Sequence, residues 1–226
     1  MTQGDMQEDK DVLRIAVLVS GHGRGSNLQA ILDACASGEI PGRVAVVIGT
    51  RADAPAMERA RNAGVPTVTI SPRRYAEDES GYAAALLNTL RAHDVRLICL
   101  AGYMRILPQP VVEAYRGKIM NVHPALLPLF GGKGMYGEHV HRAVLESGMK
   151  VSGCTVHFVD EHYDTGPIIL QATVPVRDDD TPETLAARVL PEEHKTYVCA
   201  IRLFAEGRLR IEGKRVRILE GSECNG

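Results

Sequence analysis

Residues 13–19 read LRIAVLV, an apolar run that ends at Ser20 and Gly21. A run of this length without regular polar alternation predicts a strand buried on both faces, as in a parallel sheet. Residues 28–35 follow with apolar side chains at helical spacing, and a second β-branched run occupies residues 44–48. The succession of strand, glycine-rich turn, helix and strand predicts an α/β fold with right-handed crossovers.

The same alternation continues along the rest of the chain. Thr181 and Pro182 predict the start of a long helix that reaches Phe204, and Pro191 is expected to kink or divide it. The other predicted elements are helices at 54–63, 82–90 and 139–147, strands at 68–70, 97–101, 118–122, 154–159 and 168–176, and a terminal hairpin of 208–211 and 215–219.

Length and charge limit the class of protein. The chain has 226 residues, with 26 Lys+Arg, 28 Asp+Glu and a formal net charge of -2. We expect one domain over residues 12–219, with frayed tails at 1–11 and 220–226. Nucleic-acid binding would need clustered Lys and Arg, and a membrane span would need about 20 consecutive apolar residues. Neither feature is present, so we expect no nucleic-acid partner and no membrane association.

The cysteines and the amino-terminal segment indicate a compartment. Five widely spaced cysteines without a CxxC pair favour reduced thiols over a disulfide framework or a zinc site. The first twelve residues are polar and acidic, unlike a signal peptide. We therefore expect a cytoplasmic protein with small-molecule substrates and no metal. The sequence leaves open whether it is a monomer or a homodimer.

The loop SGHGRGSN at residues 20–27 is the first candidate site. Its three glycines let the backbone approach a ligand, and it runs into a helix N-terminus, where free N–H groups favour an anion. A P-loop would end in Gly-Lys-Ser/Thr, and a dinucleotide loop would read GxGxxG; neither pattern is complete here. The loop predicts a monophosphate site, with a simple turn capped by Ser26 as the alternative.

Asn121 and His123 form the second candidate site. Alternation along a strand puts them on the same side, about 6.6 Å apart along the chain. Parallel sheets bind ligands at the edge formed by the carboxyl ends of their strands. An amide beside an imidazole suits oxyanion stabilisation and proton transfer. Taken alone, the pair favours a structural role, and its position before a Pro/Gly-rich loop makes a functional role equally compatible.

Other polar residues have simpler interpretations. Asp164, in YDTGP, could raise the pKa of a neighbouring histidine or orient water, but from the residues alone an Asx-turn before Gly-Pro is the favoured interpretation. His157 lies on an apolar strand and is interpreted as a hydrogen-bonded core histidine. His139 and His141 fall on different faces of a predicted helix, so no metal site is predicted.

Four motifs, in order, resemble the phosphoribosylglycinamide formyltransferase family: SGHGRGSNLQAI, LAGYMRIL, NVHPALLP and HFVDEHYDTGPIILQ. The resemblance covers roughly residues 12–219. It implies a mostly parallel, twisted sheet with flanking helices and later antiparallel strands. It also implies transfer of a formyl group from 10-formyltetrahydrofolate to the amine of 5-phosphoribosylglycinamide in purine biosynthesis. The alternatives are another 10-formyltetrahydrofolate-using formyltransferase or hydrolase, and a non-catalytic nucleotide or folate binder.

The resemblance also implies roles by position. Asn121, His123 and Asp164 match the catalytic trio, with Asp164 expected to hold His123 protonated. Arg73 or Arg74 would meet the folate glutamate tail. The residues matched to substrates are Gly25, Ser26 and Asn27 for the ribonucleotide phosphate, Glu193 for the ribose hydroxyls, and Met104, Arg105, Ile106, Leu107, Asp160, Glu161 and Asp164 for the folate.

Overall fold

One mixed sheet forms the centre of the computed structural model, which describes residues 12–21 and 23–221. The predicted tail at 1–11 lies outside the described residues, as do residues 222–226 of the other tail. Within the described ranges the sheet has nine strands: β1 Leu13–Val19, β2 Gly42–Gly49, β3 Thr67–Thr69, β4 Leu97–Leu100, β5 Ile119–His123, β6 Val151–Phe158, β7 Ile168–Pro175, β8 Leu209–Glu212 and β9 Arg215–Ile218.

Helices cover both faces of this sheet. They are α1 Ser26–Ala36, α2 Pro55–Asn62, α3 Glu79–Ala92, α4 Gln109–Ala114, α5 Glu138–Glu146 and α6 Pro182–Ala205, with a short 3₁₀ helix at Pro72–Tyr75. The sequence pattern did not predict α4 or the 3₁₀ helix. With six and four residues, neither is long enough for a helical period to appear in the pattern.

The strand order is β3-β2-β1-β4-β5-β6-β7-β9-β8. Strands β1 to β5 pair in parallel, and β6 is antiparallel to both β5 and β7. The terminal hairpin of β8 and β9 joins the sheet through β7. The predicted fold class is confirmed. Because the chain reverses its direction of travel across the sheet between β1 and β4, a crevice is expected at their carboxyl ends.

Strand β1 is buried on both faces, as its sequence predicts. Ile15 and Val17 belong to an apolar cluster with α1, α2 and α6, whereas Ala16 and Leu18 pack with α3 and α4 on the other face. The two clusters explain the absence of polar alternation in the run, since both faces of a doubly covered sheet exclude water.

Helix α6 begins where its sequence predicts. Thr181 accepts a hydrogen bond from the Thr184 N–H in a capping box, and Pro182 stands at the first helical position. Pro191 lies inside the helix but does not divide it, which corrects one expected outcome. The carbonyl that loses its N–H partner is that of Ala187, an exposed residue, where solvent can replace the missing bond.

The cysteine prediction holds only in part. Cys35, Cys99 and Cys154 are free thiols. Cys199 is disulfide-bonded, so the prediction of reduced thiols is wrong at this position. Spacing along the chain does not reveal which cysteines the fold brings together. No helix in the described residues is long and apolar enough to cross a membrane.

Candidate active site

A cavity of about 500 Å³ opens at the carboxyl ends of β4 and β5. Asn121, His123 and Asp164 all line it, and so do Asn27 and Glu193. The remaining wall comes from residues 102–107 and 132–137, with further contacts from Leu100, Val122, Pro124, His141, His157, Val159, Asp160, His162 and Tyr163. The fold therefore gathers the predicted catalytic trio and two residues of the predicted ribonucleotide site, which are far apart in sequence, around one space.

His123 is held so that one particular ring nitrogen can exchange a proton. Its Nε2 donates to the carbonyl oxygen of Phe130 at 2.7 Å, because a carbonyl only accepts. In the neutral imidazole the lone pair therefore lies on Nδ1, which is 3.7 Å from Asp164 Oδ2. The backbone of Phe130 sets the tautomer, and the nitrogen left to titrate is the one beside the carboxylate.

Burial sets the charge of His123 in the unliganded site. It lowers the pKa of His123 below the ordinary 6.5, and this effect outweighs the nearby carboxylate of Asp164, which favours the charged form. The expectation that Asp164 holds His123 protonated is therefore wrong for this state. The desolvation of an imidazole that is only 4% exposed is the stronger effect. A neutral His123 is suited to accept a proton.

Asp164 lies between two imidazoles. Its Oδ2 accepts the Gly132 N–H at 2.9 Å, and its Oδ1 is 3.6 Å from His157 Nε2. Burial opposes ionisation, but the contacts with His157, the Gly132 N–H and His123 together lower the pKa of Asp164. Its φ of 55° lies in the left-handed region, which aspartate tolerates better than most residues. The site thus contains a fixed, ionised carboxylate.

Asn121 is oriented by His157, which lies directly opposite it across the β5–β6 pair. His157 Nδ1 donates to the Phe158 carbonyl oxygen at 2.8 Å, and Asn121 Nδ2 lies 3.2 Å from His157 Nε2. The carboxamide therefore presents its NH₂ end to His157. The interpretation of His157 as a buried, hydrogen-bonded histidine is correct but incomplete, because the residue also lines the cavity.

The glycine loop meets the cavity at Asn27. Asn27 Nδ2 donates to Glu193 Oε2 at 3.0 Å, and burial raises the pKa of Glu193, with Asn27 opposing. Gly25 occupies the N-cap position of α1 with φ 74° and no side-chain cap, so the alternative of a cap by Ser26 is wrong. A Cβ at Gly25 would approach Ala56 Cα to 2.8 Å. Gly25 and Ser26 lie next to the cavity wall rather than in it.

The turn after β4 forms the apolar wall. Met104, Arg105, Ile106 and Leu107 all line the cavity, as expected for the folate site. Met104 and Ile106 are 42% and 48% exposed, and large apolar side chains exposed together in a concave surface mark a ligand site. This wall matches the chemistry of an aromatic ligand.

The other predicted folate contacts are Asp160, Glu161 and either Arg73 or Arg74, and the structure places them differently. Asp160 lines the cavity, but Glu161 does not, since its carboxylate pairs with Arg116. Arg73 and Arg74 lie exposed on the 3₁₀ helix, outside the cavity wall.

The sequence analysis missed Tyr103 and His141, both of which line the cavity. The Tyr103 hydroxyl is 2.6 Å from that of Tyr82 on α3, and this contact depends on the packing of a helix against a turn. His141 faces inward on α5, as its separation from His139 on the helix surface indicated. Among the described residues, no group of three His, Cys, Asp or Glu side chains could hold a metal ion.

This sheet, with an amide, an imidazole and a carboxylate around one cavity, places the chain in a known class: it belongs to the formyl transferase family, whose model matches residues 13–201. It is similar to the chloroplastic phosphoribosylglycinamide formyltransferase of Arabidopsis thaliana, with 43% identity over 93% of this chain and 71% of that protein. The phosphoribosylglycinamide formyltransferase of Escherichia coli is 42% identical over 88% of this chain and 90% of its own length.

A solved structure is similar over nearly the whole length. Glycinamide ribonucleotide transformylase 1 from Symbiobacterium toebii matches with a TM-score of 0.86 and 55% identity, over 93% of this chain and 95% of that one.

Proposed function

We propose that the protein transfers a formyl group from 10-formyltetrahydrofolate to the amine of 5-phosphoribosylglycinamide, a step of purine biosynthesis. The observation that carries the proposal is the shared cavity, in which Asn121, His123 and Asp164 lie together with the apolar folate wall and with Asn27 and Glu193. The names and the high coverage of the relatives from Escherichia coli and Symbiobacterium toebii support the same substrates.

Catalysis begins with attack of the substrate amine on the formyl carbon. A C–N bond forms, and the electron pair of the carbonyl moves onto its oxygen. The Asn121 amide donates a hydrogen bond to this oxyanion, a contribution worth roughly 3–4 kcal/mol per donor in other enzymes. The amide is suited to this role because His157 holds the carboxamide with its NH₂ end in a known direction.

Proton transfer then completes the reaction. The attacking nitrogen loses its proton to Nδ1 of neutral His123, directly or through water, and the Asp164 carboxylate stabilises the imidazolium at 3.7 Å. His123 returns this proton to N10 of the folate as the bond between N10 and the formyl carbon breaks. The products are the formylated amine and tetrahydrofolate, with every atom and charge balanced.

Binding roles follow from position. We assign the ribonucleotide phosphate to the backbone N–H groups of Gly25, Ser26 and Asn27 at the start of α1, where a helix N-terminus attracts anions. Glu193 would accept hydrogen bonds from the ribose hydroxyls. Residues 104–107 and Asp160 would hold the folate. For Glu161, the ion pair with Arg116 argues against direct folate contact.

We also propose a cytoplasmic location and small-molecule substrates without a nucleic-acid partner. The formal net charge of -2 and the scattered distribution of Lys and Arg support the absence of a nucleic-acid partner, and the free thiols of Cys35, Cys99 and Cys154 support the location. The choice between monomer and homodimer stays open.

A spectrophotometric assay for tetrahydrofolate tests the function, run with and without phosphoribosylglycinamide. We expect turnover only with the acceptor, and a fall in kcat of at least about 10² for Asn121→Ala and for His123→Ala, with small changes in KM. Asn88→Ala, on the exposed side of α3, is the control and should leave kcat unchanged. Equal product without the acceptor would identify a hydrolase instead, and near-normal kcat in both site variants would refute the assignment.

A further inference from the structure

His141 is a cavity residue that the proposed reaction does not use. It lies on α5 and is only 4% exposed, yet it borders the same cavity as His123 and Glu193. Its Nδ1 is buried and has no hydrogen-bond partner among the described residues. Buried polar atoms in folded proteins are nearly always paired, so an orphaned ring nitrogen at the wall of a ligand cavity requires an explanation.

The protonation state of the His141 imidazole determines which of its ring nitrogens can bind a ligand. Burial lowers the pKa of His141, and His123 nearby acts in the same direction. The neutral ring has one N–H donor and one lone pair, and no hydrogen bond to another described residue uses either. Since Nδ1 is enclosed, the tautomer with the proton on Nε2 leaves only a lone pair unpaired inside the protein. That tautomer leaves an N–H available for a ligand.

The surroundings of α5 indicate which substrate this donor meets. α5 packs against α6, the helix that carries Glu193, and Glu193 in turn accepts from Asn27 at the start of α1. The folate wall comes instead from the turn after β4 and from residues around Asp160. His141 therefore belongs to the side of the cavity assigned to the ribonucleotide, a molecule with many oxygen acceptors.

We propose that His141 binds the phosphoribosylglycinamide substrate directly, by donating a hydrogen bond to one of its oxygen atoms. The inference rests on the proposed function and deepens it. It makes His141 a determinant of affinity for the acceptor substrate, distinct from the residues that contact the folate and from those that move protons.

The chain offers a matched control two residues away. His139 lies on the same helix but on its exposed side, outside the cavity wall, with its ring against the edge of Tyr136. His139→Phe keeps an aromatic ring in that contact, whereas His141→Phe removes the proposed donor. His141→Gln retains an N–H donor and tests rescue by a conservative variant.

The experiment measures KM for each substrate separately, with the other saturating, in the wild type and the three variants. We expect His141→Phe to raise KM for phosphoribosylglycinamide at least tenfold and to leave KM for 10-formyltetrahydrofolate within twofold. His141→Gln should recover part of the loss, and His139→Phe should match the wild type. Unchanged KM for the acceptor, or an equal rise for both substrates, overturns the inference.

Separate controls test whether each variant folds and whether the wild type is active. Thermal melting of each variant shows whether it folds. If His141→Phe does not fold, the comparison of His141→Gln with His141→Leu decides by the same criterion, and equal acceptor KM in these two overturns the inference. Absence of turnover in the wild type would refute the proposed function. Normal wild-type turnover with an unaffected acceptor KM would refute only the role of His141.

Discussion

His123 is fixed by two partners of different kinds, and together they determine its chemistry. The Phe130 carbonyl binds Nε2, and the Asp164 carboxylate faces Nδ1. The same short segment supplies the Gly132 N–H that holds Asp164. A Cβ on Gly131 between them would approach Leu127 Cδ2 to 2.6 Å and Asp164 Cβ to 3.1 Å, so a side chain there would require these neighbours to shift. A backbone segment thus positions both the imidazole and its carboxylate.

Titration of His123 tests this description. Because burial lowers its pKa, NMR of the ring protons in the unliganded protein should give a midpoint below the ordinary 6.5. Asp164→Asn removes the group that raises the pKa, so the midpoint should fall further. Asparagine also tolerates the left-handed backbone at this position. A midpoint above 6.5 in the wild type, or an upward shift in the variant, would contradict the proposed balance.

The lowered pKa of His123 also determines how this residue makes the free energy of unfolding depend on pH. Well above pH 6.5, folded and unfolded states both carry a neutral His123, and the group contributes nothing. Below pH 6.5 the unfolded state takes up the proton more readily than the folded state. The contribution of His123 to the free energy of unfolding therefore declines as the pH falls from 6.5 to the lowered pKa of the folded state, and it stays constant below that pKa.

At the scale of elements, the turn after β4 depends on α3. The hydroxyls of Tyr82 and Tyr103 meet at 2.6 Å, and both rings are buried. Tyr103 is followed directly by the proposed folate wall, residues 104–107, which has no regular secondary structure. Tyr82 is outside the cavity, so any effect that it has on this wall comes through neighbouring residues such as Tyr103 and not through contact with a ligand. It is a positioning residue for the folate side.

Tyr82→Phe should therefore raise KM for 10-formyltetrahydrofolate several-fold and leave KM for the acceptor unchanged. It should also lower the free energy of unfolding by about 1–3 kcal/mol, because the Tyr103 hydroxyl loses its buried partner. Tyr75→Phe is the control: its ring packs on Tyr82, but no hydrogen bond of its hydroxyl to a described residue is formed. Steady-state kinetics and urea unfolding measure both effects, and equal changes in the two KM values would argue against a positioning role.

At the scale of the molecule, α6 contacts helices and strands that are far apart in the sequence. It packs against β5, β6 and β7 in the sheet and against α1 and α5 beside it. Its buried Tyr197 hydroxyl contacts the carbonyls of Leu100 and Met120, at 3.1 and 2.9 Å, where β4 and β5 approach the cavity. The two halves of the sheet therefore share one apolar cluster.

The single domain over residues 12–219 stays a prediction, and calorimetry tests it. Because α6 and the continuous sheet couple both halves, we expect one cooperative transition with equal calorimetric and van't Hoff enthalpies. Two resolved transitions, or a calorimetric enthalpy well above the van't Hoff value, would indicate separately folding units. A shift of the whole transition upward with bound substrates would accompany the single-unit result.

Much of the architecture could be read from local patterns. The run at 13–19 predicted β1 with its bounds, and Thr181 with Pro182 predicted the start of α6. The period of apolar residues encodes which faces are buried, so long elements are visible in sequence. Short elements without a full period, such as α4, are not. The motif resemblance also named ten residues that the fold gathers around one cavity: Asn121, His123, Asp164, Asn27, Glu193, Met104, Arg105, Ile106, Leu107 and Asp160.

What the sequence by itself determined is the nine strands and the five longer helices, the fold class and, through the family resemblance, the candidate catalytic trio. Only the tertiary structure decided that His157 orients Asn121, that His141 faces the cavity, that Glu161 turns to Arg116, and that His123 is neutral. The physical reason is that burial periodicity is a local property, whereas strand register, helix docking and desolvation depend on residues far apart in the chain. A side chain's partners and its charge are set by that packing.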